Sequence, residues 1–364
     1  MMPRVRSDTS EPVHGGADPA ELARFGLGPG DVLDFSANVN PFGPTPAVLR
    51  AAAGAVIGRY PDRGCGDLRR ALAVRHGVTE AQVLVGNGSS ELIWLAAVAY
   101  LAPGDQVLVL GPAFGEYERA ARLTGAEPAA CRATAGDGFQ PPLARFEQYL
   151  REKTPRLAFL TNPNNPTGQM SPPDHLRLLA TRHPQTLFVV DEAYADCRPS
   201  PDEWAATPAA NVVRLRSMTK AHGLAGLRLG YALGAGEVIA VLRSVQPPWS
   251  VNAAAQAAGL AALRDAAEVS LSVAAWAAAA AELVSRVRAA GFAPVASVVP
   301  FFLLRVGDAR GVRSRLLREG LLVRDCASFG LPEFVRISAR RPEENARLVE
   351  ALVRVGVEGG LCRD

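Results

Sequence analysis

Lysine is rare in this chain, and one of its two lysines has neighbours that suit a particular reaction. Of 39 lysine and arginine residues, only Lys153 and Lys220 are lysines. Lys220 follows an apolar run, with Ser217 before it and Arg228 after it. A lysine amine forms an imine with the aldehyde of pyridoxal phosphate, and a hydroxyl and a guanidinium can bind the phosphate. The sequence therefore predicts a pyridoxal phosphate site at Lys220, whereas Lys153 lies in a polar stretch and is interpreted as a surface residue.

Polar side chains follow two other apolar runs. Asp191 and Tyr194 come directly after residues 187–190, and Asn165 lies in a proline-rich turn after residues 157–160. Open α/β sheets bind ligands at the carboxyl ends of their strands. Asp191 is a candidate partner for the pyridine nitrogen, which stays protonated so that the ring can act as an electron sink. Tyr194 and Asn165 are candidate donors to the phenolic oxygen of the ring; a helix cap at Asp191 is the alternative.

Small residues between an apolar run and a helical pattern suggest a phosphate cradle. Gly88 and Ser89 stand where the backbone N–H groups of a helix N-terminus are free to bind an anion. The same stretch partly matches a dinucleotide-binding fingerprint, but Glu91 occupies the position of its third glycine, which disfavours that interpretation. Phe114 follows the next apolar run and is a candidate to stack on the cofactor ring, with core packing as the alternative.

The elements that position these residues are predicted from the hydrophobic pattern. Short apolar runs alternate with helical patterns, which predicts an α/β fold with a mostly parallel mixed sheet between helices. The predicted strands are residues 83–85, 106–110, 157–160, 187–190 and 212–215, and helices are predicted at 90–100, 115–124 and 173–181.

The second half of the chain has a different pattern. Two alanine-rich helices are followed by mixed strand and helix signals, which predicts a smaller α+β domain. The predicted division is an N-terminal arm and part of the small domain at 1–45, a large cofactor-binding domain at 46–250, linking helices at 251–290 and a C-terminal small domain at 291–364.

Composition excludes several classes of function. The 39 basic residues are scattered among 36 acidic ones, giving a net charge of +3, so no nucleic-acid partner is expected. The apolar runs fall short of the roughly 18 residues of a membrane helix, and the first residues lack the pattern of a secretory signal. We therefore expect a cytoplasmic protein without a membrane partner. Five widely spaced cysteines predict neither a disulfide framework nor a metal site.

In this order, the motifs closely resemble the fold-type I pyridoxal phosphate enzymes of the class I/II aminotransferase family, over nearly the whole chain. The resemblance implies an aspartate-aminotransferase-like fold and a catalytic set of Lys220, the Schiff-base lysine, with Asp191 and Tyr194. The residues that it implies for cofactor binding are Gly88, Ser89, Phe114, Asn165, Asp191, Tyr194, Ser217, Lys220 and Arg228.

The resemblance also implies contacts to the substrate and to a second subunit. Arg336 matches the family arginine that holds the α-carboxylate of the substrate. Tyr60 matches a tyrosine that reaches the cofactor of the neighbouring subunit, so a homodimer is implied.

Two subfamilies fit the sequence. Segments that look like the threonine-phosphate decarboxylases of cobalamin biosynthesis are residues 14–16, 34–41, 249–252 and 324–329. Residues 220–226 look more like the histidinol-phosphate aminotransferases. Our main hypothesis is decarboxylation of L-threonine O-3-phosphate or a close phosphorylated analogue. The alternatives are transfer of an amino group to 2-oxoglutarate by a histidinol-phosphate type of aminotransferase, or a specialised paralogue with another substrate.

The two reactions differ in how the substrate is turned. If Arg336 holds the carboxylate near the ring plane, Lys220 removes a proton and transamination follows. A second cation, Arg324 or Arg340, could instead bind a substrate phosphate and turn the carboxylate out of that plane. A surface salt bridge is the alternative for both arginines. His14 and Asn38 complete the substrate-binding candidates.

Overall fold

The computed structural model of the protein describes residues 14–198 and 209–359. Its strands are β1 (Leu33–Asp34), β2 (Val83–Asn87), β3 (Gln106–Gly111), β4 (Glu127–Arg132), β5 (Leu157–Thr161), β6 (Leu187–Asp191), β7 (Val212–Ser217), β8 (Leu229–Gly234), β9 (Phe301–Arg305), β10 (Leu321–Leu322), β11 (Arg324–Cys326) and β12 (Leu331–Ser338). Its helices are α1 (Pro19–Arg24), α2 (Pro46–Ala53), α3 (Gly66–His76), α4 (Gly88–Tyr100), α5 (Glu116–Thr124), α6 (Leu143–Lys153), α7 (Pro173–Arg182), α8 (Gly236–Ser244), α9 (Ala253–Arg264), α10 (Ala266–Ala289), α11 (Ala309–Arg318) and α12 (Pro342–Gly359).

The larger sheet has the strand order β2-β8-β7-β6-β5-β3-β4. Strand β8 is antiparallel to both of its neighbours, β2 and β7, and the other pairs are parallel. The carboxyl ends of β5, β6 and β7 therefore meet at one edge. Asn165, Asp191 and Lys220 lie at or just after those ends, so the sheet brings them together.

Helices cover both faces of this sheet because its central strands are apolar on both sides. Val107 and Val189 pack into a cluster with residues of α4, α5 and α8. Leu108 and Phe188, one position away on the same strands, pack into another cluster with residues of α6 and α7. Successive side chains of a strand point to opposite faces, so each strand contributes to both clusters.

The second sheet belongs to the C-terminal part of the chain. It has the order β11-β12-β9 and is antiparallel throughout. Its core combines Trp276 of α10 with Phe302, Leu316 and Leu352, all buried. A short parallel pair of β1 with β10 joins the N-terminal segment to this region.

Helix α10 is long and apolar enough to cross a membrane, by length and composition alone. A core helix of a globular protein passes the same test. In this structure Trp276, Leu283 and Val287 of α10 are buried in the core with strand β9. We therefore describe α10 as a core helix that packs against the second sheet.

The sequence patterns missed several strands and helices of the described structure, among them β4, β8 and α1. Strand β4 lies at the edge of the sheet, contains Pro128 and is half exposed, so it lacks a buried apolar run. Strand β8 contains Gly230 and Gly234, which weaken a strand signal. The predicted N-terminal arm contains α1, which Asp18 caps at its N-terminus.

Candidate active site

One cavity, of about 500 Å³, lies at the carboxyl edge of the larger sheet and extends towards the second sheet. Most of the residues predicted for the site share this cavity. Those that line it are His14, Asn38, Phe114, Asn165, Tyr194, Lys220, Arg228, Arg324 and Arg336.

Lys220 lies in the turn after β7, and its backbone is tightly held. Its carbonyl oxygen accepts hydrogen bonds from Asn40 N at 3.1 Å and Gly223 N at 3.2 Å. Gly223 has a φ of +70°, and a Cβ there would come within 2.8 Å of Pro44 N. Burial, together with the positive charges of Arg336 and Arg228, lowers the pKa of Lys220 to about 8. This amine is therefore available as a base or nucleophile close to neutral pH.

Asp191 ends β6 with its carboxylate buried. It accepts hydrogen bonds from Tyr117 Oη at 2.7 Å and from Ala193 N at 2.9 Å. Burial raises the pKa of Asp191, while these two hydrogen bonds oppose the rise. The hydrogen bond from Ala193 N matches a local cap, which was the alternative interpretation. The carboxylate also accepts a hydrogen bond from the phenol of Tyr117, which lies on a helix distant in sequence.

Tyr117 is a site residue that the sequence patterns did not identify. It is fully buried on α5, and its hydroxyl also lies 2.9 Å from Thr161 Oγ1. Its position three residues after Phe114, on the buried face of a predicted helix, was the signal available in the sequence.

Gly88, Ser89 and Arg228 form a close cluster beside the cavity. Gly88 has a φ of +77°, and a Cβ there would come within 2.9 Å of Arg228 Nη2. A Cβ on Gly230 would come within 2.5 Å of Ser89 N. Ser217 is buried nearby on β7, and its hydroxyl lies 2.7 Å from that of Thr219. Glycine is thus required for the close approach of this turn to the arginine, as expected of an anion-binding cradle.

Arg336 is buried on β12 and faces the cavity. Its Nη2 donates to Ser36 O at 2.6 Å, and its Nη1 donates to Asn165 Oδ1. Among the residues that the structure describes, its Nε has no hydrogen-bond partner. A buried guanidinium with a free donor at a cavity suits an anionic ligand.

Arg324 lies on the neighbouring strand β11 and is also buried. Its Nη2 donates to Ser328 Oγ at 2.6 Å, and its Nη1 lies 3.7 Å from Asp325 Oδ2. Arg340, the other candidate, donates to Asp34 O and to the Glu344 carboxylate. Arg340 is therefore held by contacts within the protein, whereas Arg324 lines the cavity.

Tyr194 and Asn38 both line the cavity and contact each other. Asn38 Nδ2 donates to Tyr194 Oη at 3.2 Å, and the Tyr194 ring packs edge-on against Phe301. Within the described part of the chain, Asn38 Oδ1 is buried without a hydrogen-bond partner. His14 lines the same cavity, with its ring centroid 5.2 Å from that of Phe114.

Tyr60 does not line this cavity. Its side chain is 77% exposed and stacks on Trp249, with ring centroids 4.6 Å apart. Tyr60 lies at the surface, and its contact with a second subunit stays a prediction.

An ion-pair network lies beneath the turn that carries Tyr194. Arg214 pairs with Glu192 at 2.9 Å, and Arg216 pairs with both Glu192 and Asp196. Burial raises the pKa of Asp196, but the charges of Arg216 and His222 outweigh this effect and lower the pKa to about 2. The sequence patterns did not identify this network, because its members come from two separate segments that the pairing of β6 with β7 brings together.

A larger cavity of about 860 Å³ lies next to this network. It is lined by Arg216 and Asp196 together with residues of α10. Within residues 14–198 and 209–359, no group of three or more His, Cys, Asp or Glu side chains is placed to hold a metal ion.

Comparison with known proteins agrees with this geometry. Residues 30–352 match the family model described as aminotransferase class I and II. The chain is 38% identical to histidinol-phosphate aminotransferase 1 of Thiobacillus denitrificans over 362 residues, covering 97% of this chain and 92% of that protein.

Two solved structures are similar throughout. The histidinol-phosphate aminotransferase of Sinorhizobium meliloti in complex with pyridoxal-5'-phosphate superimposes with a TM-score of 0.86 at 26% identity, covering 94% of this chain and 95% of that one. The L-threonine-O-3-phosphate decarboxylase of Porphyromonas gingivalis gives 0.78 at 28% identity, covering 89% and 99%.

These matches decide three of the predictions made from the sequence. The aspartate-aminotransferase-like α/β fold is confirmed, and so is pyridoxal phosphate as the cofactor. The predicted membership of an enzyme family is confirmed as well. The chain belongs to the class I and II aminotransferase family of pyridoxal phosphate enzymes.

Proposed function

We propose that this enzyme is an aminotransferase of the histidinol-phosphate type, which moves an amino group from a phosphorylated amine to 2-oxoglutarate. The observation that carries the proposal is the combination of Lys220 with three guanidinium groups, those of Arg228, Arg324 and Arg336, around one cavity. The name of the Thiobacillus relative supports this reaction over decarboxylation, which was our main hypothesis from the sequence.

The side chains fit pyridoxal phosphate, group by group. Arg228 with the Gly88–Ser89 backbone and Ser217 would hold the phosphate, and Asp191 would hold the proton on the pyridine nitrogen. The phenolic oxygen and the ring face would be held by Tyr194, Asn165 and Phe114. When bound, the cofactor supplies an electron sink for the carbon that carries the amino group.

Lys220 would perform the proton transfer. Its lowered pKa of about 8 lets the amine accept a proton from the substrate carbon and then return one at moderate cost. Tyr117 would hold the Asp191 carboxylate in place, since its hydroxyl donates to that carboxylate at 2.7 Å. Both groups are buried, which keeps water from competing for these hydrogen bonds.

The anionic ends of two different substrates would use the same cations. Histidinol phosphate presents a phosphate, whereas 2-oxoglutarate presents two carboxylates. Arg336, with its free Nε, and the nearby Arg324 would bind either anion, because a guanidinium forms paired hydrogen bonds with both groups. Asn38 and His14 lie on the same cavity and complete the substrate-binding set.

The proposal is tested by assaying the purified enzyme with histidinol phosphate and 2-oxoglutarate. We expect formation of glutamate without release of CO₂. Release of CO₂ from L-threonine O-3-phosphate, with no glutamate formed from any phosphorylated amine, would overturn it.

Decarboxylation stays as a second candidate because of one structural feature. Residues 14–16, which gave the sequence its likeness to the decarboxylases, pack beside Arg336, and a Cβ on Gly15 would come within 3.2 Å of its Nη2. The similarity to the Porphyromonas decarboxylase is compatible with this candidate. The CO₂ measurement separates the two reactions.

We also propose a cytoplasmic homodimer in which Tyr60 reaches the cofactor of the partner subunit. Support comes from the exposure of Tyr60 and of the neighbouring Ile57, 77% and 88% respectively. An aromatic and an aliphatic side chain at such exposure are typical of a surface that another subunit covers.

A further inference from the structure

Residues His14–Gly16, here named the strap, form part of the wall beside Arg336. Gly16 N donates to Ser36 Oγ at 2.8 Å, and a Cβ on Gly15 would come within 2.4 Å of Ser36 O. The same carbonyl oxygen accepts from Arg336 Nη2 at 2.6 Å. The backbone of the strap therefore lies directly against the group that orients Arg336.

Glu116 holds the other end of the strap. It is the first residue of α5, lines the cavity, and is 5% exposed. Its Oε2 accepts from Trp94 Nε1 at 3.0 Å, and its Oε1 accepts from Arg119 Nη1 at 3.4 Å. His14 Nε2 lies 3.2 Å from the same Oε1. A carboxylate only accepts hydrogen bonds, so the hydrogen lies on Nε2 of His14.

A carboxylate at this place is unfavourable for the binding of an anionic ligand in the cavity. Arg324 and Arg336 line the same cavity and suit an anionic ligand, whereas an uncovered carboxylate repels one. Trp94 and Arg119 reach Glu116 from α4 and α5, and His14 is the partner that the strap contributes. The His14 ring therefore stands beside a negative charge that would otherwise act on the substrate.

We propose that Glu116 is a positioning residue that fastens the strap over the cavity through His14, and that His14 in turn shields the Glu116 carboxylate from the anionic substrate. The inference rests on the proposed function in one respect, namely that the substrate carries a phosphate or carboxylate. It assigns to Glu116 an indirect effect on substrate affinity and no contact with the reacting atoms.

The fastening and shielding roles together predict a pattern of KM and kcat changes that simple loss of packing does not produce. His14→Ala uncovers the carboxylate and frees the strap, so KM for the anionic substrate rises about tenfold, the order of magnitude expected for repulsion between two like charges near a protein surface, while kcat changes less. Adding Glu116→Gln to His14→Ala removes the uncovered charge, so KM falls back towards the native value. The matched control is Glu118→Gln on the same helix, whose partners are Arg122 and Arg132; it leaves both constants unchanged.

Steady-state kinetics of the holoenzyme variants measure this pattern. Partial recovery in the double variant supports the shielding role. A KM in the double variant equal to or above that of His14→Ala overturns it, because a purely structural defect adds to the first one.

Amide hydrogen exchange tests the fastening role without any turnover. In Glu116→Gln and Glu116→Ala, exchange in a peptide that covers residues 14–16 becomes faster, because Gly16 N loses its fixed position against Ser36 Oγ. Glu118→Gln leaves it unchanged. Unchanged exchange in both Glu116 variants overturns the fastening role. If the native enzyme turns over no anionic amine, the proposed function fails, and the exchange result still decides whether Glu116 holds the strap.

Discussion

Arg324 and Arg336 lie directly opposite each other on the antiparallel strands β11 and β12, and both are buried, with exposures of 3% and 4%. Like charges at facing positions of two strands repel each other. Burial lowers the pKa of Arg324, and the positive charge of Arg336 lowers it further, although Asp325 opposes both effects. A dianion bound between the two guanidiniums would relieve this repulsion, which is why we assign them to the phosphate or carboxylate of the substrate.

Replacing Arg324 should therefore weaken binding according to the charge of the substrate. For Arg324→Met we expect KM for histidinol phosphate to rise about 10- to 100-fold, since hydrogen bonds to charged groups contribute about 1.5–3 kcal/mol, and KM for histidinol to change little. Steady-state kinetics with the two amines measure the difference. Arg305→Met, an exposed arginine on β9 paired with Glu333, is the control. An equal rise for both amines would show that Arg324 supports the fold and not the phosphate.

Uptake of the cofactor by the apoenzyme should depend on pH through Lys220. Only the unprotonated amine attacks the aldehyde, and the pKa of Lys220 is lowered to about 8. The rate of uptake is therefore expected to rise with pH until about 8 and then to level off. Stopped-flow absorbance of the apoenzyme mixed with pyridoxal phosphate measures this rate. A lysine with an ordinary pKa, about 10.4, would give a rate of uptake that is still rising far above this pH, which would contradict the lowered pKa. The control is Lys153→Ala, which should leave the pH profile unchanged.

Tyr117→Phe should alter catalysis without changing substrate binding. The variant keeps the ring that stacks on Phe159 but loses the hydroxyl that donates to Asp191 at 2.7 Å. Because that hydrogen bond lowers the pKa of Asp191, its loss raises this pKa further. The carboxylate then stays protonated to higher pH, so the acid limb of the kcat profile moves upward.

At neutral pH we expect kcat of this variant to fall about tenfold, the lower end of the range for a hydrogen bond to a charged group, with little change in KM. Tyr149→Phe, whose hydroxyl is 3.4 Å from Gln106 at the partly exposed side of the sheet, is the control. An unmoved acid limb in Tyr117→Phe would contradict the role of Tyr117 in holding Asp191.

The sequence predicted the features that depend on local pattern. Strands β5, β6 and β7 are continuous apolar runs because they are buried on both faces, so their positions could be predicted within one or two residues. Their parallel arrangement follows from the intervening helices, and it brings Asn165, Asp191 and Lys220 to one edge. The scarcity of lysine, together with the neighbours of Lys220, led to its prediction as the cofactor lysine.

Contacts between distant segments could not be predicted in this way. Tyr117 meets Asp191 across 74 positions, and His14 meets Glu116 across 102. Each of these side chains has a local pattern that fits an ordinary core or surface residue. Their pairing is set by the packing of α5 against the sheet and by the path of the strap, neither of which leaves a periodic signal in the sequence.

The proposed dimer makes a prediction about mixed subunits. If Tyr60 acts in the partner's site, a subunit with Tyr60→Ala and a subunit with Lys220→Ala together form one site with both native residues. On random exchange in a twofold dimer, about a quarter of all sites are then native. Activity of the mixture should therefore exceed the mean of the two variants alone, measured after subunit exchange. A mixture of Lys220→Ala with Lys220→Arg, which restores no native site, should show no such gain. Activity equal to the mean in the first mixture would place Tyr60 outside the partner's site.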